Sequence, residues 1–332
     1  MTVRNLLTDI AGVTVGHATD LALGSGTTVV LFDAPAVASV AVLGGAPGGR
    51  DTHMLEPENS IEAVDAIVLS GGSAFGLDAA GGAQAALREM GRGLLLRGGM
   101  RIPIVPQAII FDLANGGNKD WGRFSPYRDQ GYAAARAAAA GDFALGSVGA
   151  GTGATTATVK GGLGSASMVT STGHRVAALA VVNAVGSPTI GSGPWFWAAP
   201  FEVGEEFGGR GWPVPMPADA ASLRTKGTPG TATTIGIVIT DAVLTKSQAK
   251  RLAIMAHDGL ARAILPAHAP MDGDTIFAAA TGTRPVGDAI ATLTELGHAA
   301  TLTMARAIAR GVFEAAALPV AGAQASWRQR FG

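Results

Sequence analysis

The stretch "GTPGTATTIGIVITDA", residues 227–242, changes character halfway along. Its first half carries glycine and proline, the residues of turns. Its second half, "TIGIVIT", is almost continuously apolar and largely β-branched, which predicts a strand buried on both faces. Such a strand belongs to a layered α/β fold, with other elements packed against each side. Thr233 and Thr234 stand where loop becomes strand. Two explanations of these paired hydroxyls remain side by side. Threonine is β-branched and suits strands; alternatively, the Ala232–Thr233 bond is cut and Thr233 becomes a catalytic N-terminus.

Downstream, the pattern predicts a helix over residues 245–265, with Thr245 as N-cap and Pro266 as terminator. A strand over 275–280 and a helix over 286–316 follow. Upstream, residues 186–232 hold 16 Gly or Pro among 47 residues. That density predicts a long irregular segment, a kind of loop that is uncommon unless functional or disordered. Before it, residues 174–186 predict a fully buried strand and residues 146–167 a glycine-rich turn and strand. Residues 129–142 predict an alanine-rich helix ended by Gly141. Residues 66–91 read strand, glycine turn, helix. Residues 27–34 and 37–45, separated by Pro35, predict the two arms of a hairpin. The tail, 319–332, is expected to be loosely held. Strands and helices do not alternate strictly, which argues against a simple doubly wound sheet.

Composition bounds the function. The chain of 332 residues is 48% hydrophobic and 15% charged, with a net charge of −1. This is ample for a large core and lacks the basic footprint of a nucleic-acid binder. No cysteine is present, so disulfides, thiolate catalysis and cysteine-ligated metals are excluded. The start, "MTVRNLLTDIAG", carries Asp9 too early for a secretory signal. The run at 176–185 is too short to span a bilayer. A cytoplasmic protein without membrane or nucleic-acid partners is expected.

Several stretches resemble functional motifs. "SGGSAFG", residues 70–76, lacks the spacing of the dinucleotide, nucleophile-elbow and phosphate-loop motifs. It reads as a tight strand-to-helix turn, or as a helix start whose N–H groups at Ser70, Gly71, Gly72 and Ser73 meet a substrate carbonyl or carboxylate. "GAGTGATTATVKGG", 149–162, fails as a nucleotide loop because Gly161 follows Lys160. The six histidines show no H-x-x-x-H pair. "MDGDT", 271–275, places Asp272 and Asp274 around one glycine. This is a solvated turn, a cation-binding pair, or two carboxylates that orient a nucleophile.

Taken together, "TTIGIVITDA", "AKRLAIMAHDGLARAI", "MDGDTIFA", "AIVLSGGSAFGLDAA", "IPIVPQAIIFDLANGGNKDWG" and "GAGTGATTATVKGG" resemble the L-aminopeptidase/D-esterase family. These are self-cleaving peptidases of the N-terminal-nucleophile style, among them β-peptidyl aminopeptidases and 6-aminohexanoate-oligomer hydrolases. The resemblance runs from about residue 13 to about residue 314. It implies a single domain with a layered αββα sandwich of the aminopeptidase/ornithine-acetyltransferase type, processed into fragments 1–232 and 233–332. It implies Thr233 as nucleophile, with Asn183, Lys160, Asp272 and Asp274 as its active-site companions and Phe111 among the substrate-binding positions. The D-G-D pattern is that of the nylon-oligomer hydrolases. A small peptide or amide substrate, no cofactor, no metal and a homo-oligomer, a tetramer, are implied as well.

Two positions depart from the family pattern. Ala232 stands where Asn or Gly is frequent, and Phe111 stands where a tyrosine is expected. On this reading Thr233 needs no histidine, because a free α-amine titrating near pH 7.7–8.0 serves as its base. Asn183 is the candidate for stabilising the oxyanion, and Lys160 for neutralising the Asp pair. Two rivals share much of the pattern: an ornithine-acetyltransferase-like acyltransferase and an unprocessed amine- or peptide-binding homologue.

Overall fold

In the computed structural model, which describes residues 3–227 and 232–332, the elements run in chain order as follows. First come β1 (Val13–Asp20), β2 (Ser25–Val42), β3 (Gly49–Arg50) and β4 (Ala63–Ser70). Then follow α1 (Ser73–Gly76), α2 (Ala79–Glu89), β5 (Leu94–Leu95), β6 (Arg101–Ile102), β7 (Gln107–Ile109) and α3 (Tyr127–Ala137). The remainder is β8 (Leu163–Val169), β9 (Arg175–Asn183), β10 (Thr233–Ala242), α4 (Lys246–Ala263), β11 (Thr275–Arg284), α5 (Ala289–Phe313) and α6 (Trp327–Phe331).

One mixed sheet in the order β3-β7-β4-β2-β11-β10-β9-β8, with β1 also on β2, carries the fold. It doubles back on itself, and β2 makes this possible. The N-terminal half of β2 pairs with β1 and β4, while its C-terminal half pairs with β11. The expected hairpin over residues 27–45 is therefore a single bent strand. Its register shifts between Leu31 and Ala36, where Pro35, lacking an N–H, is tolerated at an irregularity.

Three core clusters mark the interfaces between four layers. The first packs α2 and α3 on β2 and β4, through Ala79, Ala83, Leu87 and Tyr127 against Val29 and Val68. The second lies between the two halves of the sheet and joins Val15, Phe32 and Ile67 to Leu179, Ile235, Ile237 and Phe277. The third packs Leu252, Ala256, Met304 and Ile308 of α4 and α5 on Val238, Ala178 and Ile276. This is the expected αββα sandwich.

The period of β10 settles where its first residue points. Ile235, Ile237 and Ile239 face the space between the sheet halves, and Val238 and Ala242 face the helices. Thr233 shares parity with the isoleucines, so it opens toward the inter-sheet side, and Thr234 points the other way. β10 is central and covered on both faces, parallel to β11 and antiparallel to β9. The crossover from β10 to β11 is α4, started by Thr245, whose hydroxyl accepts from Gln248 N while Gln248 Oε1 accepts from Thr245 N. This is a capping box at the expected N-cap.

Between β9 and β10 the described residues hold only a short 3-10 turn, Ala199–Phe201; residues 228–231 of this expected irregular segment lie outside the described residues. No helix among the described residues is long and apolar enough to cross a membrane. The tail corrects its expectation. Trp327 is buried, stacked at 5.6 Å on Phe196 and tilted at 5.1 Å against Phe313, with Nε1 donating to Pro194 O. One large aromatic outweighs the weak local pattern around it. Trp327→Ala is expected to cost about 3–5 kcal/mol, as for other buried tryptophans, read as a lower urea midpoint.

Candidate active site

Thr233 opens β10 directly opposite Asn183 at the end of β9. Directly opposed residues of an antiparallel pair project from the same face, so the register alone brings these two side chains together. Both are buried. The Thr233 hydroxyl donates to the carbonyl oxygen of Ala232, its own preceding residue. The nucleophile candidate thus lies against the carbonyl group it would attack.

Asn183 is held from three sides. Its Nδ2 donates to Phe111 O at 3.0 Å, and its Oδ1 accepts from Thr155 N at 3.0 Å and from Lys226 Nζ at 2.8 Å. Lys226 Nζ also donates to Asn183 O at 3.2 Å. Lys226 was not singled out in the sequence, although it is the one lysine of residues 186–232. Lys226 is half-buried, and burial pulls its pKa down to about 7 against the opposing pull of Asp272.

The Asp-Gly-Asp turn lies against Thr233. A Cβ on Gly273 would stand 2.6 Å from Thr233 Oγ1 and 3.0 Å from Ala46 O, so glycine alone lets the Asp-Gly-Asp turn lie this close to the start of β10. Asp274 is fully employed. Its Oδ1 accepts from Thr234 N at 2.8 Å, and its Oδ2 accepts from His268 N at 2.9 Å and pairs with His268 Nδ1 at 2.8 Å. His268, six residues upstream, is a second residue that spacing alone did not flag. Asp272 is buried beside Asp274, and burial with this neighbouring charge pushes its pKa up to about 8. A hydrogen bond shared with Asp274 also favours the protonated form. A protonated Asp272 and an Asp274 already occupied by three nitrogen donors are a poor cation-binding set, since hard cations take ionised oxygens.

The sign of the Asp272 shift sets a pH dependence. With the folded pKa above the ordinary 3.8, the folded chain holds a proton that the unfolded chain releases. Its favourable contribution is complete below about pH 4 and is lost as pH rises to about 8. Asp272→Asn removes this titration. In urea unfolding between about pH 5 and 8, the variant is expected to gain on the wild type as pH rises; a constant difference would contradict the shift.

Lys160 is held by the glycine-rich loop. It is buried, and its ammonium donates to three carbonyls, Gly151 at 3.2 Å, Ala154 at 2.7 Å and Gly161 at 2.8 Å. It ties the glycine-rich loop together, and the carboxylate acting on it is Asp112. Burial lowers its pKa to about 7. The lysine whose charge reaches Asp272 is Lys226.

The turn after β4 also departs from its substrate-binding reading. Gly71 N donates to Gly26 O, Gly72 N to Asp112 Oδ1 and Ser73 N to Ile110 O, so these N–H groups are already used. Ser70 is buried with its hydroxyl on Thr27. Gly72 has φ +86°, and a Cβ there would meet the Tyr127 ring at 2.2 Å; the glycines serve the turn. Ser73, at φ +52°, is different. It lines a cavity of about 380 Å³ together with Thr233, Ala232 and Phe111. A larger cavity of about 650 Å³, lined by Asp112, Asn115, Thr155, Lys160 and Lys226, also borders Phe111 but does not include Thr233. Thr233 is thus among the residues lining the smaller cavity.

The mixed sheet flanked by helices is the fold of the Ntn-hydrolase-like aminopeptidases. The model of peptidase family S58 matches residues 5–325, and the chain belongs to that family. It is therefore an enzyme of the aminopeptidase and amide-hydrolase class. It is 44% identical over 343 residues to an uncharacterized aminopeptidase of Mycobacterium tuberculosis, covering 96% of each chain. It is 30% identical over 283 residues to a 6-aminohexanoate-oligomer endohydrolase of Kocuria sp., covering 82% of this chain and 74% of that one. The fold superposes on a Burkholderia sp. beta-aminopeptidase with a TM-score of 0.70 and 24% identity, covering 98% of this chain and 91% of that one. It superposes on the L-aminopeptidase D-Ala-esterase/amidase of Ochrobactrum anthropi with a TM-score of 0.70 and 21% identity, covering 98% and 92%.

Proposed function

We propose that the protein is a self-processing N-terminal-threonine hydrolase of short peptides or amide oligomers. The observation that carries this is the placement of Thr233: its hydroxyl touches the Ala232 carbonyl, lines a cavity and stands opposite Asn183. In the precursor, Thr233 Oγ1 attacks the Ala232 carbonyl carbon. Collapse breaks the peptide C–N bond and leaves Ala232 esterified to Oγ1, with the Thr233 nitrogen as a free amine. Water then hydrolyses the ester, giving fragment 1–232 with a terminal carboxylate and fragment 233–332 with its hydroxyl restored.

Turnover repeats the chemistry on a substrate amide. The α-amine of Thr233 takes the Oγ1 proton as the oxygen attacks the carbonyl, and gives it to the departing amine. Water hydrolyses the resulting acyl-enzyme. Asn183, fixed by Phe111 O, Thr155 N and Lys226 Nζ, steadies the developing oxyanion, a contribution of about 3 kcal/mol for one such donor. Asp274 fixes the start of the nucleophile strand through Thr234 N. Lys160 supports from behind, by anchoring the loop that carries Thr155. The exposed Leu94, Leu95, Leu96, Met100 and Ile102 around the β5–β6 hairpin favour a homo-oligomer, up to a tetramer, because contiguous exposed apolar residues mark association sites.

The test of the processing step is a denaturing gel of purified protein followed over time. Conversion of one band into two, of the sizes of 1–232 and 233–332, is expected. A chain that stays whole while it hydrolyses amides would refute self-processing.

A further inference from the structure

If the self-processing reading holds, the precursor is its own first substrate, and this inference rests on that reading. Ala232 is then the acyl donor, and its position marks where the acyl residue of any substrate must sit. Ala232 is buried, and the cavity of about 380 Å³ opens beside it. The cavity walls include Pro47, Leu77, Ile109, Phe111 and Met271, and among the described residues none lining it is charged. Among the described residues, Ser73 and Thr233 are the ones with polar side chains that line it. The nearby charged groups, Asp112, Lys160 and Lys226, line the other cavity that borders Phe111.

An alanine methyl leaves most of such a space unfilled, and each further methylene buried there adds about 0.8 kcal/mol of favourable transfer. A charged side chain would meet no opposite charge among the described residues that line the cavity. We infer that this site is an apolar acyl pocket, and that the preferred substrates carry a large uncharged side chain of the leucine, methionine or phenylalanine type on the residue whose carbonyl is attacked. Leu77 and Met271 are its specificity-determining residues. The departure of Phe111 from tyrosine agrees with this chemistry, since the ring adds apolar wall where a hydroxyl would add a polar group.

The test uses the processed enzyme and a series of aminoacyl p-nitroanilides: leucine, methionine, alanine, glutamate and lysine. Leucine and methionine are expected to exceed alanine in kcat/KM by about tenfold or more, and glutamate and lysine by about 10²-fold, in line with the worth of apolar pocket contacts. Leu77→Trp fills the pocket, so the leucine-to-alanine ratio should fall by about tenfold; a ratio is independent of how much enzyme folds. An order led by alanine or by a charged residue, with hydrolysis still abolished by Thr233→Ala, would leave the nucleophile standing and overturn the apolar pocket. Hydrolysis that survives Thr233→Ala would overturn both.

Discussion

Thr233→Ala is expected to leave the chain as a single band and to remove amide hydrolysis, by on the order of 10⁴-fold or more, the scale seen when a catalytic nucleophile is deleted. One atom links both losses. The hydroxyl that contacts the Ala232 carbonyl in the precursor is the same one that would attack substrate afterwards. Without it no ester forms, no α-amine is released, and neither nucleophile nor base exists. Thr233→Ser keeps the oxygen and should retain both reactions, since serine supplies the same nucleophile with one methyl fewer. Processing kinetics by gel and initial rates on a leucine anilide check the pair. If the alanine variant is still cut, or stays within about tenfold of wild type, another group performs the chemistry.

The second large effect belongs to Asp274. Its carboxylate accepts from Thr234 N, His268 N and His268 Nδ1 at 2.8–2.9 Å while buried. Asp274→Asn replaces one acceptor oxygen with a donor, so at least one N–H then faces another N–H. The strand start that carries Thr233 loses a charge-assisted anchor. Turnover is expected to fall about 10²-fold, the lower range for assistance of this kind, with processing slowed in parallel. Asp272→Asn exchanges one neutral group for another, because burial and the neighbouring Asp274 favour the protonated acid, so its effect on turnover is expected to be smaller than that of Asp274→Asn. The double variant is the decisive member: near-normal rates there would reduce "MDGDT" to a turn.

Much of this arrangement was legible in the sequence. The almost continuous apolar run after Thr234 identified a strand covered on both faces, while the side to which Thr233 points emerged only from the packing of β10. Thr245 announced the helix start, and Gln248 completes its capping box. Other features depend on long-range packing that no local pattern encodes. β2 was read as a hairpin because Pro35 interrupts it, yet its two halves find different neighbours and the chain never turns back. Trp327 lies in a segment without periodicity and is held by Phe196, Phe313 and Pro194 O. The same limit applies at the site. Asn183 and Thr233 meet because of register, which sequence does not display. Lys226 reaches Asn183 across 43 residues of irregular chain. Lys160 looked equally suited to charge chemistry, but three carbonyls claim its ammonium. His268 lies close in sequence to Asp274, but no motif announced the contact.

The most direct measurement is the N-terminal sequence of the smaller fragment from purified, fully incubated protein, combined with its intact mass. The account predicts a free N-terminus reading Thr-Thr-Ile-Gly-Ile, with a mass corresponding to residues 233–332, and a larger fragment ending at Ala232. A smaller fragment that begins at any other residue, or protein that hydrolyses amides with the Ala232–Thr233 bond intact, would contradict it.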